Sequence, residues 1–214
     1  ARNYVRGENP ARLRGHLDKI LSKTVKVKRV RHFPALPYKQ ISIFLKELHS
    51  RSGYSALALE FLILTAARTN EIIGARWSEI DLEQKVWTVP VDRMKMSKEH
   101  RVPLCSKAIE ILINMTSNRN PKEHVFSGWK QNTGLSNNAM LALLRKMQRS
   151  DITPHGFRST FRDWAAEEAH QFSNETIELA LAHTIKNKAE AAYRRGDQLE
   201  RRRELMNEWE KYIE

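Results

Sequence analysis

Two arginines, two histidines and a tyrosine in this 214-residue chain stand where chemistry on an anion is feasible. In TPHGFRSTFRDWAAE, Thr153 suits a helix cap and Pro154 the first helical position. His155 and Arg158 then fall at i and i+3, on one face of the first turn. Free N–H groups and the positive end of the helix dipole favour an anion there, while Phe157, Phe161 and Trp164 anchor the opposite face. In TAARTNEIIGARW, Arg68 stands where an apolar helix ends, just before Thr69, a cap for the next helix. A charge at such a junction must be paired or aimed at a ligand, and Glu71, three residues on, is within its reach. In LALAHTIKNKAEAAYRR, Leu179 and Leu181 pack a helix that ends at His183. Tyr193 follows on the next helix, where Ala191 and Ala192 leave room beside its hydroxyl. Taken singly, each has an ordinary reading: a structural ion pair, a satisfied histidine, a half-buried aromatic.

The rest of the chain must position these groups, and its composition narrows what they meet. Thirty-seven Lys and Arg against 25 Asp and Glu give a net charge of +12, which points to a polyanion such as nucleic acid or anionic lipid. A single cysteine, Cys105, excludes an internal disulfide and a multi-cysteine zinc site, and fits a reducing cytoplasm. The longest apolar run, ALALEFLILTAA, is too short for a membrane span and contains Glu60, so it predicts a buried helix. No signal peptide opens the chain, and HExxH, CxxC and GxxxxGK[ST] are all missing. From Pro37 onward the periodicity is mainly helical. Ile41, Phe44, Leu45 and Leu48 share one face, and further helices are expected at 106–116, 136–149, 154–169, 174–182, 187–195 and 198–212. VWTVPV and HRVPL, on either side of a Lys/Ser/Glu-rich turn, predict a β-hairpin over roughly 85–104, with Pro90 and Pro103 at edge positions. The fold class expected is α+β, mainly helical, with a small sheet on one edge.

Three parts are expected. Residues 1–32 read as a connector from an upstream domain, its SKTVKVKRVRH stretch placing Lys26, Lys28, Arg29 and Arg31 along a polyanion. Residues 33–195 form the main domain, which carries the candidate groups. Residues 196–214 form an amphipathic tail, with Leu199, Leu205, Met206 and Trp209 on one side. In cis that tail covers its own core; in trans it docks on a neighbouring protomer. The pattern leaves both open.

The order Arg, hairpin Lys, His-x-x-Arg, His, Tyr resembles the catalytic domain of the tyrosine recombinases, the phage-integrase family. The resemblance runs from about Arg31 to Tyr193. It is carried by RHFPAL at 31–36, TAARTNEI at 65–72, MKMSKEHRVPL at 94–104, HGFRSTFRDWAAE at 155–167 and LAH at 181–183, and is nearest to integrases of prophages and genomic islands. It implies catalytic roles for Arg68, Lys95, His155, Arg158 and His183, with Tyr193 as nucleophile and Glu71 orienting Arg68. It also implies double-stranded attachment sites as substrate, a homotetramer on DNA, and accessory directionality and DNA-bending proteins. Lys98 and Arg162 are read as further DNA contacts.

The chemistry agrees with those roles. A tyrosyl phosphodiester conserves the energy of the broken strand and can be resealed. Two arginines suit the non-bridging oxygens through forked, charge-assisted hydrogen bonds, and His183 can donate another. His155, which titrates near neutrality, can take the tyrosine proton. Lys95 is the candidate acid for the departing 5′-oxygen. With these cations in place neither a metal nor another cofactor is required. A type IB topoisomerase, a non-catalytic DNA-binding module and a basic RNA-binding protein are the competing readings. The last lacks a stacking-rich sheet motif.

Overall fold

The computed structural model describes residues 33–94, 98–115, 120, 122–129, 133–183 and 196–214, with Leu17 and Lys19. The chain divides into two compact units, Ala1–His32 and Phe33–Glu214, and the architecture below is that of the second. Apart from Leu17 and Lys19, the expected connector, with Lys26, Lys28, Arg29 and Arg31, lies outside the described residues, as do Lys95, Tyr193 and the helix expected at 187–195.

In chain order the helices are α1 (Ile41–His49), α2 (Tyr54–Thr65), α3 (Thr69–Ile73), α4 (Ser106–Asn114), α5 (Ala139–Lys146), α6 (Gly156–Glu167), α7 (Asn174–Ala180) and α8 (Leu199–Ile213). Apolar on all sides, α2 has no face that tolerates water. Ala58, Leu59, Phe61 and Leu62 are fully buried, with α1, α4, α5, α6 and α8 packed around them. Glu60, the one charge in that run, is also buried, and its carboxylate meets His49 Nε2 at 2.8 Å. The ends of the helices after α3 lie within a few residues of the expected positions, α5 being the most shortened at 139–146.

Between α3 and α4 lies an antiparallel sheet of three strands, β1 (Ile80–Asp81), β2 (Val86–Val89) and β3 (His100–Pro103), in the order β1-β2-β3. The hairpin expectation captured β2 and β3, registered Val86↔Pro103 and Val89↔His100, and missed the two-residue β1. Pro103 is on the outer strand β3, where a missing N–H is tolerated.

The tail packs in cis. Helix α8 lies on α1, α2, α7 and β3 of its own chain, and Trp209 is fully buried, its indole N–H donating to Ile63 O at 2.8 Å. The Trp209 ring meets Phe161 edge-on, centroids 5.5 Å apart, and Trp164 at 4.9 Å, geometries that add to area burial. Arg202, which the apolar pattern did not mark, is 1% exposed. It donates to Asp197 through both backbone and carboxylate and to Arg101 O, while Arg101 grips the same carboxylate with a two-pronged fork. A buried guanidinium with all its donors directed at oxygens meets the condition for burying charge at all. This cluster fastens the chain just beyond residue 195 to the sheet edge.

Candidate active site

Helix α2 ends at Ala66, a left-handed residue with φ 49°. Two residues later the chain turns into α3. Arg68, not Thr69, is the cap residue of α3, and Thr69 is its first helical residue. The sequence expectation is corrected here because the N-terminal amide of this turn is satisfied by Glu71: Arg68 N donates to Glu71 Oε2 at 2.8 Å. The second carboxylate oxygen accepts Arg68 Nη1, also at 2.8 Å. Glu71 is 3% exposed, so this carboxylate locks backbone and guanidinium of Arg68 together in low dielectric. Nη2 donates to Ala182 O at 2.9 Å.

Helix α6 begins at Gly156, two residues later than Pro154, yet Thr153 does cap the turn: its hydroxyl accepts from Gly156 N at 3.1 Å. Glycine is required at 156 by close approach, because a Cβ there would stand 2.1 Å from Pro34 O. The extended segment 33–36 therefore lies directly on the start of α6. Phe33 packs edge-on against His155, centroids 4.6 Å apart, and Thr160 donates to Leu36 O at 2.6 Å. His155 and Arg158 thereby part company. His155 stays half-buried, whereas Arg158 is 5% exposed, its guanidinium donating to Ala66 O, to Leu181 O and, at 3.2 Å, to Nε2 of His183.

The two arginines are thus tied to the carbonyl ends of α2 and α7, where the negative poles of both helices partly offset their mutual repulsion. Burial, with Arg68 beside it, still pushes Arg158 down to about 10. Burial and then the charges of Arg158 and Arg68 also hold His155 below its ordinary value. A neutral imidazole can accept a proton, which suits a base. Arg68, Glu71 and His155 line one recess of about 460 Å³ together with Arg93 and Met94; Met94 immediately precedes Lys95. Lys98 is exposed at the sheet end. Arg162 pairs with Glu178 at 2.8 Å and with Asn174. Among the described residues no group of three or more His, Cys, Asp or Glu side chains is placed to hold a metal ion.

Three site residues escaped sequence reading. Glu178 meets His183 Nδ1 at 2.7 Å, and only the tertiary fold pairs it with Arg162. Arg93 donates to Glu79 and to Glu71 O, bracing α3 from the sheet. His100 had a readable signal, since the period of two puts it on the same face of β3 as the buried Val102. Its burial, then the charges of Arg202, Arg68 and Arg158, push it down to about 3.

A stability prediction follows for His100. Folded His100 stays neutral down to about 3, whereas the unfolded chain protonates it below ~6.5. Between those values the unfolded state binds the extra proton, so stability falls as pH falls. The contribution is at most about 1.4 kcal/mol per pH unit. Urea midpoints at pH 7 and pH 4.5 should therefore separate more widely for the wild type than for His100→Gln, whose carboxylates are otherwise the same. Equal separations would show that His100 protonates freely in the folded state.

Arg68 and His155 thus line one recess, and Arg158 and His183 are joined to Arg68 through the Leu181 carbonyl. The chain belongs to the phage integrase family, whose model matches residues 35–200. It is 32% identical to the integrase of Enterobacteria phage P4, over 87% of this chain and 46% of that protein. With the integrase of Shigella phage Sf6 the identity is also 32%, over 91% of this chain and 51% of that one. A prophage integrase of Escherichia coli K12 is 31% identical over the same shares. The chain thus spans about half the length of the curated relatives it matches. Among solved structures, the fold is shared with an integrase from mycobacterium phage Brujita, at TM-score 0.58 and 18% identity over 88% of this chain and 61% of that one. XerA recombinase gives 0.56 and 16%, over 79% and 64%.

Proposed function

We propose that this chain carries the catalytic part of a site-specific DNA recombinase that integrates or excises a prophage or genomic island. The observation that carries this reading is that Arg68 and His155 line one recess while Arg158 shares the Leu181 carbonyl with Arg68 and meets His183, in the family's order. In the reaction the Tyr193 oxygen attacks the scissile phosphorus and its proton passes to His155. Arg68 and Arg158 exchange carbonyl partners for the non-bridging oxygens, where each such donor is worth roughly 3 kcal/mol in the transition state. The P–O5′ bond breaks, Lys95 protonates the departing oxygen, and a 3′-phosphotyrosine remains. Attack by the 5′-hydroxyl of another strand reverses these steps and completes exchange.

The substrate on this reading is double-stranded attachment-site DNA, acted on by a homotetramer with directionality and DNA-bending proteins, in the cytoplasm. Support for the DNA partner is the +12 net charge and the family. Among the described residues no helix is long and apolar enough to cross a membrane. Residues 1–32 serve as a connector whose Lys26, Lys28, Arg29 and Arg31 run along the phosphates, with Lys98 at the duplex backbone beside the site.

The test is a pool of nicked duplexes of randomised sequence, in which cleavage releases a short fragment and traps the adduct. Covalent protein–DNA product is expected at undiminished yield in excess EDTA, because guanidinium groups supply the positive charge that a metal supplies elsewhere. Binding should weaken steeply between about 50 and 200 mM salt as Lys and Arg contacts take up counterions again. Adduct that requires magnesium would indicate a metal-dependent nuclease. Joining of strands from two duplexes, rather than relaxation of one supercoiled circle, separates recombinase from topoisomerase.

A further inference from the structure

The ring of His183 is held on both sides. Its Nδ1 lies 2.7 Å from Glu178 Oε2, and its Nε2 lies 3.2 Å from Arg158 Nη2. A guanidinium can only donate, so Nε2 presents its lone pair, and the single proton of the neutral ring sits on Nδ1, directed at Glu178. The carboxylate is itself braced. Its other oxygen accepts Arg162 Nε at 2.8 Å, Arg162 reaches on to Asn174, and His183 N donates to Glu178 O at 2.9 Å. Side chain and backbone of Glu178 therefore both bind the histidine, and the His183 and Arg162 contacts together hold its carboxyl below the usual carboxylate range despite partial burial.

We propose that Glu178 is a positioning residue for strand transfer: it fixes the orientation of His183, whose tautomer Arg158 sets, with Arg162 holding Glu178 in turn. The inference rests on the strand-transfer reading given above. In the ligand-free site Nε2 has no proton to offer a phosphate. When a phosphate oxygen takes over Arg158 Nη2, Nε2 loses its donor, acquires a proton from solvent and donates it in a hydrogen bond to the non-bridging oxygen. The ring is then doubly protonated, and the Glu178 carboxylate at 2.7 Å balances its charge. Arg162 thus acts through two residues, Glu178 and His183.

The experiment combines a spectroscopic and a kinetic readout on the full chain. In histidine-labelled protein, ¹H–¹⁵N spectra should show His183 protonated at Nδ1 with an exchange-protected Nδ1–H, and Glu178→Ala should lose that resonance to solvent exchange. At saturating nicked DNA, the first-order rate of adduct formation should fall roughly 10- to 100-fold in Glu178→Ala, the size expected for impairing one donor to a developing oxyanion. DNA affinity should change less than about twofold, since Glu178 makes no phosphate contact on this reading. Glu178→Gln, which keeps an acceptor and the shape but not the charge, should retain the protected resonance and recover part of the rate. If Glu178→Ala folds and cleaves at the wild-type rate, or keeps the protected Nδ1–H resonance of the wild type, the proposal is overturned. Failure of the wild type itself to form adduct, with that resonance present, would instead overturn strand transfer.

Discussion

Tyr193→Phe should abolish covalent adduct formation while leaving DNA affinity within about twofold of wild type, because a nucleophile contributes to bond making and little to ground-state binding. The expectation rests on the chemistry of a phenol oxygen. A phenol oxygen forms a phosphodiester whose aryl leaving group is good enough for a 5′-hydroxyl to displace later, so the strand energy is conserved. Water in its place would give an irreversible nick. The measurement is denaturing electrophoresis of protein with end-labelled nicked duplex, beside a native binding titration. Peptide mapping of the wild-type adduct should place the nucleotide on Tyr193. Adduct at wild-type yield from the phenylalanine variant would move the nucleophile elsewhere. Nicked DNA without adduct would indicate that water can take its place.

Arg158→Ala should lose both catalysis and stability, which sets it apart from Tyr193→Phe. The guanidinium is 5% exposed, and its removal leaves the carbonyls of Ala66 and Leu181 without this donor, at about 1–3 kcal/mol for each buried group left unsatisfied. A cavity adds to that cost. Adduct formation should fall by at least about 10²- to 10³-fold, the usual cost of removing a charged donor from a developing oxyanion. Arg158→Lys keeps the charge but not the fork, so it should recover stability more than rate. A lysine variant active to within threefold of wild type would show that charge alone, and not bidentate geometry, is what the site needs. Urea denaturation and single-turnover cleavage measured on the same preparations check both halves.

The outcomes differ because the residues were legible to different degrees. Helix α2 could be read directly, since a run of apolar residues on all sides has nowhere to go but the core. The period-3.6 face of α1 and the aromatic face of α6 were equally plain, as was the β2–β3 hairpin. Arg68, His155, Arg158 and His183 could be named because each stands at an element boundary, in an order shared with a known family. What the apolar pattern could not show was Arg202. Periodicity ranks residues by their own hydrophobicity, and a buried arginine is stable only through partners that lie far away in the chain, here Arg101 O and Asp197.

The sequence by itself determined the element types, the core faces, the polyanion partner suggested by its net charge of +12, and the roster of groups fit for phosphate chemistry. These depend on local period, boundary chemistry and composition, all of which a single chain carries in its order. Only the tertiary structure decided the environments of those groups. It directed the carbonyl ends of α2 and α7 at the two arginines, seated segment 33–36 on Gly156 so that Phe33 braces His155, and folded α8 back onto its own core. It also joined Arg162 to Glu178, and through Glu178 to His183. Each of these is a contact between residues distant in sequence, and hydrogen bonds and burial act through space, so nothing local could have specified them.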